Sequence, residues 1–199
     1  MIDQRTDQIA RHAARLIQTG RAGDIAQAIR TAADSLGYHD APLPTRGLVR
    51  RHVQGMAMQA LGERAYTETI LDVWRTAEAM MTVIEEALPD CATMLAGRPA
   101  KGHIDAGVTL HIRAYTARPM RDIVETLLAY GYGEPAFETA HTRLGRLDRI
   151  RFDEDPGEVV ITRCLPEMRR RSGVDLFNLS PIETATLEDL RRRLADGGA

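Results

Sequence analysis

Residues 94–113, MLAGRPAKGHIDAGVTLHIR, constrain the fold of this 199-residue chain more than any other stretch. An apolar lead-in (Met94, Leu95, Ala96) runs into Gly97, then a polar loop holds a second glycine, Gly102, and a strand follows. In that strand Val108, Leu110 and Ile112 alternate with Thr109, His111 and Arg113, the period of a strand with one buried face. A glycine-bearing loop feeding a strand can turn several N–H groups toward one anion, as phosphate-cradling nests do. It is equally the ordinary form of a connection between two elements. Lys101, the only lysine of the chain, lies in this loop beside Arg98.

Upstream of the loop the pattern is helical. Ile9, Ala13, Leu16 and Ile17 make one apolar face that Gly20 and Gly23 interrupt. Asp24 can cap the next segment, where Ile25, Ala28, Ile29, Ala32 and Leu36 recur at helical spacing before Gly37 closes it. A linker with Pro42 and Pro44 leads to Thr45, a good N-cap for a third helix reaching about Leu61. The longest helix is predicted from about Tyr66 to Leu88, with Ile70, Val73, Trp74, Ala77, Met81, Ile84 and Leu88 in one stripe and Pro89 ending it.

Downstream, Pro119 and Gly131 bracket a further helix. Strands are predicted near 136–141, 146–152 and 159–165, with Asp155-Pro156-Gly157 as a hairpin turn. A loop runs from Arg169 to Pro181, and a last helix starts at Thr186, whose Thr-Leu-Glu-Asp imitates a capping box. The expected fold class is α+β: a helical N-terminal half (1–89) packed on a small mixed sheet within an α/β half (90–199).

A chain of this length can bury about 70% of its unfolded surface. Its 44% apolar content is ordinary, and no apolar run is long enough to span a bilayer, so no membrane association is expected. The first residues lack a basic patch followed by an apolar segment, which makes the cytoplasm the expected compartment. Cys91 and Cys164 sit in apolar surroundings and read as reduced packing residues. A formal net charge of −2 gives no bulk pull toward nucleic acid, which is not an expected partner.

The order strand, helix and then a hairpin of strands, with a glycine loop before the first strand, is similar to the minimal polymerase-β-like nucleotidyltransferase fold. The layout resembles a group of bacterial nucleotidyltransferase-domain proteins of unassigned role. The residues that carry the likeness are Ala32-Ala33-Asp34-Ser35-Leu36-Gly37 at a helix end, the long helix, the glycine loop, a strand ending in proline over 160–166, and the phrase Ser180-Pro181-Ile182-Glu183-Thr184-Ala185-Thr186-Leu187. The resemblance covers nearly the full chain. It implies a glycine loop that holds a triphosphate and carboxylates that hold two metal ions.

Carried over residue by residue, that catalytic set largely disappears. Gly97 matches the loop glycine, but Arg98 stands where the family has serine. The strand carboxylates fall on Gly107 and Thr109, and the later one falls near Ile161. A register slip brings in Asp105, whose partner is then Gly107. The resemblance therefore implies a nucleotidyltransferase-like protein with a degenerate active site, acting as a binding or regulatory module, with no catalytic residue and no metal or other cofactor assigned. Phosphate or nucleotide binding is expected at Gly97, Arg98, Lys101, Gly102, Asp105 and Thr109.

Two alternatives stay open. One is an active Mg-dependent nucleotidyltransferase whose acids come from Asp105, Asp148 or Glu158; the other is a structural domain that binds a protein partner. His103, Asp105 and His111 lack the spacing of a metal motif. Arg143, Arg146, Arg149, Arg151 and Arg163 are interleaved with Asp148, Asp153, Glu154 and Asp155 and read as a salt-bridged surface. Oligomeric state is not legible in the sequence.

Overall fold

The computed structural model describes residues 3–22, 24–104 and 108–197. The chain divides into two compact units, Met1–Tyr66 and Thr67–Ala199. The architecture is α+β, with helices gathered in the N-terminal half and a six-stranded mixed sheet after them.

In the first unit, α1 (Gln4–Gln18), α2 (Ile25–Leu36) and α3 (Arg46–Leu61) pack on one another. Ile9, Ala10, Ala13 and Ala14 of α1 are buried in one cluster with Ala28, Ile29, Ala32 and Ala33 of α2 and Leu48, Val49 and Val53 of α3. The alanines let the helix axes approach closely. The expected caps form: the Asp24 carboxylate accepts from Gln27 N at 2.8 Å, the Thr45 hydroxyl accepts from Leu48 N at 3.3 Å, and Gly37 adopts φ 68° at the end of α2. Thr6 donates its hydroxyl to the Pro42 carbonyl at 2.8 Å and pins the proline linker. Arg46, Arg50 and Arg51 are exposed, while His52 turns inward to Asp7 at 2.8 Å.

The second unit holds the sheet and most of α4 (Glu63–Ala87). Its strands are β1 (Ala92–Ala96), β2 (Thr109–Tyr115), β3 (Ala136–Thr142), β4 (Gly145–Glu154), β5 (Gly157–Cys164) and β6 (Thr184–Thr186), in the spatial order β3-β4-β5-β2-β1-β6. Only β2 and β5 run parallel, with Leu110 opposite Val159 and Ile112 opposite Ile161; the other neighbours are antiparallel. The strand predicted at 108–115 thus lies beside the one predicted at 159–165. The apolar lead-in before Gly97 is itself a strand, β1, and the three-residue β6 closes that edge.

Because alternate residues of a strand share a face, the register sorts the sheet into two chemically different sides. Leu95, Leu110, Ile112, Ile150, Val159, Ile161 and Ala185 share one side and are buried. Each buried aliphatic side chain of this size stabilises the unit by about 1.5–3 kcal/mol relative to exposure. The helix stripe Val73, Trp74, Ala77, Met81 and Ile84 is buried as well. Polar contacts hold α4 at the sheet: Thr93 donates its N–H and hydroxyl to Glu85 Oε1, both at 2.7 Å, and the Thr76 hydroxyl donates to the Asp155 carbonyl at 2.8 Å.

Helix α5 (Met120–Ala129) buries Met120, Ile123, Val124 and Leu127, and Tyr132 beyond its end packs its ring on Phe152. Helix α6 (Leu187–Ala195) starts from a complete capping box in which Thr186 pairs with Asp189. Among the described residues, no helix is long and apolar enough to cross a membrane.

Candidate functional site

The second side of the sheet is polar. Thr109, His111 and Arg113 of β2, Glu158 and Thr162 of β5, Arg149 and Arg151 of β4 and Glu138 of β3 all fall on it by register. At one end Met94, Tyr115, Leu147 and Cys164 pack with Leu176 under the segment that follows β5. The middle is left open as two cavities of about 250 Å³ each, and His111 lines both.

The first cavity is lined by Gly97, His111, Arg113, Arg149, Thr162 and the 175–182 segment. Arg113 is the unusual group in it, with only 4% of its surface exposed. Its Nη1 donates to the Ser172 carbonyl at 2.9 Å, and the Tyr115 phenol lies beside its guanidinium. Among the described residues no carboxylate stands within 4.0 Å of it. A guanidinium withdrawn from water without a counter-ion costs several kcal/mol, a cost that a bound anion offsets. Burial pushes the Tyr115 phenol above its ordinary pKa, with Arg113 pulling the other way.

The neighbouring arginines are already neutralised. Arg149 pairs with Glu138, Nε to Oε2 at 2.9 Å, and Glu138 also accepts from Arg151 Nε at 3.1 Å. Arg151 in turn reaches Glu158 at 2.5 Å. This is the salt-bridged surface read from the interleaved charges. Arg163 lies on the other side of the sheet, bonded to Asp148 at 3.3 Å and to the Arg118 carbonyl at 2.5 Å. His111 reaches solvent, yet the protein around it desolvates the ring. That desolvation, followed by the charge of Arg149, holds its pKa below the ordinary histidine value, with Glu158 opposing.

The second cavity is lined by Arg98, Pro99, His103, Ile104, Val108, Thr109 and His111. Of the predicted ligand-binding residues, Arg98 and Thr109 line this cavity, and Gly97 lines the first. Lys101 and Gly102 line neither; Asp105 and Gly107 lie outside the described residues. His103 and His111 meet at this cavity, and the His103 ring bonds the Gly102 carbonyl at 3.0 Å.

Several of the loop N–H groups that could face an anion have acceptors within the protein. Gly97 N donates to the Glu183 carbonyl at 2.8 Å, and Ala100, Lys101, Gly102 and His103 donate to the Gly97, Arg98, Pro99 and Arg98 carbonyls within the loop. Pro99–Lys101 is a single 3₁₀ turn, so its donors close inward. Lys101 is paired with Glu183 at 3.1 Å, an acid that sequence proximity does not reveal. Gly102 is required by packing: at φ 76°, a Cβ here would stand 3.1 Å from Trp74 Cζ2.

Of the positions where the resemblance puts the family's acids, Thr109 lies on the polar side and Gly107 lies outside the described residues. Ile161 is fully buried on the apolar side, while its neighbours on the polar side are Val160 and Thr162. Glu158 shares the polar side but is held by Arg151, and Asp148 faces the opposite side. Two bridged divalent ions need several converging oxygens. Of the described carboxylates on that side, Glu138 and Glu158 are both paired with arginines. Among them no group of three or more His, Cys, Asp or Glu residues is placed to hold a metal. Both cysteines are free and buried, with burial pushing Cys91 up to about 12 and Cys164 up to about 11, as befits packing thiols.

Sequence reasoning placed Arg113 on the non-apolar side of its strand but did not single it out, nor Thr162 and Asp175. The alternation in β2 was the available signal; its burial comes from a segment about sixty residues downstream. No protein-family model matches this chain, and no curated protein matches it.

Proposed function

We propose that this chain is a binding module built on a nucleotidyltransferase-like sheet, without metal-dependent transfer, that takes a small anion on the polar side of the sheet. The observation that carries the reading is Arg113, a nearly buried guanidinium that donates to the Ser172 main-chain carbonyl, has no carboxylate within 4.0 Å among the described residues, and shares its cavity with His111 and Thr162. A phosphate or carboxylate seated there gains charge-assisted hydrogen bonds of about 1.5–3 kcal/mol each. Two of these, less the cost of fixing the ligand, correspond to a Kd between millimolar and micromolar. Where the fold it resembles uses carboxylates to hold metals, this sheet presents Thr109, His111, Val160 and Thr162, and its Glu158 is paired with Arg151.

The test is a low-salt calorimetric titration with inorganic phosphate, a nucleoside monophosphate and a small carboxylate, with and without magnesium. Saturable, magnesium-independent binding that weakens with salt and is lost in Arg113→Gln supports the reading. Arg50→Ala, on the exposed side of α3, serves as the control. Arg98→Ala reports whether the loop-side cavity shares the ligand. Binding that needs magnesium, or that Arg113→Gln leaves intact, overturns it.

A further inference from the structure

The cavity around Arg113 contains a second charge of opposite sign. Asp175 lines the same space, and the two are not ion-paired. Asp175 is held in place from behind: its Oδ1 accepts from Phe177 N at 2.8 Å and Asn178 N at 2.9 Å, a side-chain turn that fixes where the carboxylate points. Arg113 is fixed too, by burial and by the Ser172 carbonyl. A cation and an anion that line one small cavity more than 4.0 Å apart, each anchored by its own main-chain contacts and not by each other, offer two opposite charges to one ligand.

A simple anion satisfies Arg113 alone and is opposed by the charge of Asp175, so it is held more weakly than a ligand that meets both. A ligand with a negative group and an ammonium on one short frame satisfies both, the first on Arg113 and the Thr162 hydroxyl, the second on Asp175. The rest of the lining comprises His111, the Glu138-paired Arg149 and apolar residues that include Leu176, Phe177 and Ile182. A volume of about 250 Å³ lies below the roughly 300–1,000 Å³ of ordinary drug-sized pockets and suits a small metabolite. Phe177 is half exposed at this cavity, a large apolar ring placed to be covered by an apolar side chain.

We infer that the ligand of this site is a free α-amino acid with an apolar side chain, its carboxylate on Arg113 and its ammonium on Asp175. The inference rests on the anion-binding reading and narrows it to a zwitterion. No bond is made or broken; the site recognises and holds.

The experiment compares three series on the wild-type chain by calorimetry or ligand-detected NMR. L-leucine and L-phenylalanine carry both charges, 4-methylpentanoate and 3-phenylpropionate lack the amine, and isoamylamine and phenethylamine lack the carboxylate. The expected result is saturable binding of the amino acids and at least tenfold weaker binding when either group is missing. Asp175→Asn keeps the Oδ1 acceptor of the turn, so it tests charge with the loop intact; it is expected to bind the deaminated acids as well as the amino acids. Deaminated acids that bind wild type as tightly as the amino acids overturn the zwitterion inference and leave the anion reading standing. Amino-acid binding unchanged in Asp175→Asn also overturns it. No binding of either amino acids or acids, with none of inorganic phosphate, removes both readings.

Discussion

Trp74 donates its indole N–H to the Pro99 carbonyl at 2.8 Å, tying the longest helix to the turn between the first two strands. The same turn is held from α6, where Arg193 stacks its guanidinium 5.5 Å from the Trp74 ring centroid and donates to the Ala100 carbonyl. The loop that opens the polar side of the sheet is therefore clamped from behind by two elements, which is what a preformed site requires.

Trp74→Phe keeps most of the ring packing and leaves the Pro99 carbonyl without its donor. It is expected to lower unfolding stability by about 0.5–1.5 kcal/mol. In urea unfolding the midpoint shifts with the slope unchanged. A midpoint equal to wild type means that the indole hydrogen bond does not hold the loop.

Gly157→Ala places a methyl group against the Val108 carbonyl, backbone that cannot swing aside, while the neighbouring Glu158 N–H donates to that oxygen at 2.9 Å. The expected cost is about 1–3 kcal/mol, since β2 and β5 must separate locally. Gly133→Ala, where a Cβ meets nothing within 4 Å, is the paired control. Equal stabilities of the two variants contradict this account of the parallel pairing.

The cap of α6 has a defined pH dependence. Thr186 donates its backbone N–H at 3.1 Å and its hydroxyl at 2.8 Å to Asp189 Oδ2, and these bonds, the backbone one first, hold the Asp189 carboxyl below its ordinary value of 3.8. A carboxylate whose folded pKa is depressed contributes stability that is complete above the unfolded value and lost as pH falls through the folded one. The contribution is thus intact at neutral pH and disappears below about pH 4. Thr186→Ala is expected to cost about 1 kcal/mol at pH 7. The gap to wild type narrows in acid unfolding curves, and a gap that is constant from pH 7 to pH 2 refutes the assignment.

Arg113→Met exchanges a buried charge for an apolar chain of similar length. Replacing an uncompensated buried cation in this way is expected to be neutral or to stabilise by about 1–2 kcal/mol while ligand binding is lost. Thermal unfolding and the titration above, run on the same variant, decide it. Destabilisation of more than about 3 kcal/mol identifies Arg113 as a structural residue instead.

Much of the fold was written locally. The helix stripes from Ile9 to Leu88, the caps at Asp24, Thr45 and Thr186 and the alternation over 108–113 each depend on neighbours within a few residues, and each forms as read. Strands β2 and β5 were legible as strands, β2 by its alternation and β5 by the apolar run Val159–Ile161. Strand β6 was not, since three residues carry no period and its pairing partner lies about ninety residues away.

The candidate site divides along the same line. Local sequence determined that Gly97–Gly102 is a polar, glycine-bearing loop and that Arg113 leaves the apolar side of its strand. Only the tertiary structure decided that the turn spends its N–H groups on itself and on Glu183, that Lys101 meets an acid 82 residues away, and that the segment after β5 withdraws Arg113 from water and brings Asp175 into its cavity. The physical reason is that periodicity reports which side of an element a residue takes, whereas burial and charge pairing depend on what distant chain is folded over that side.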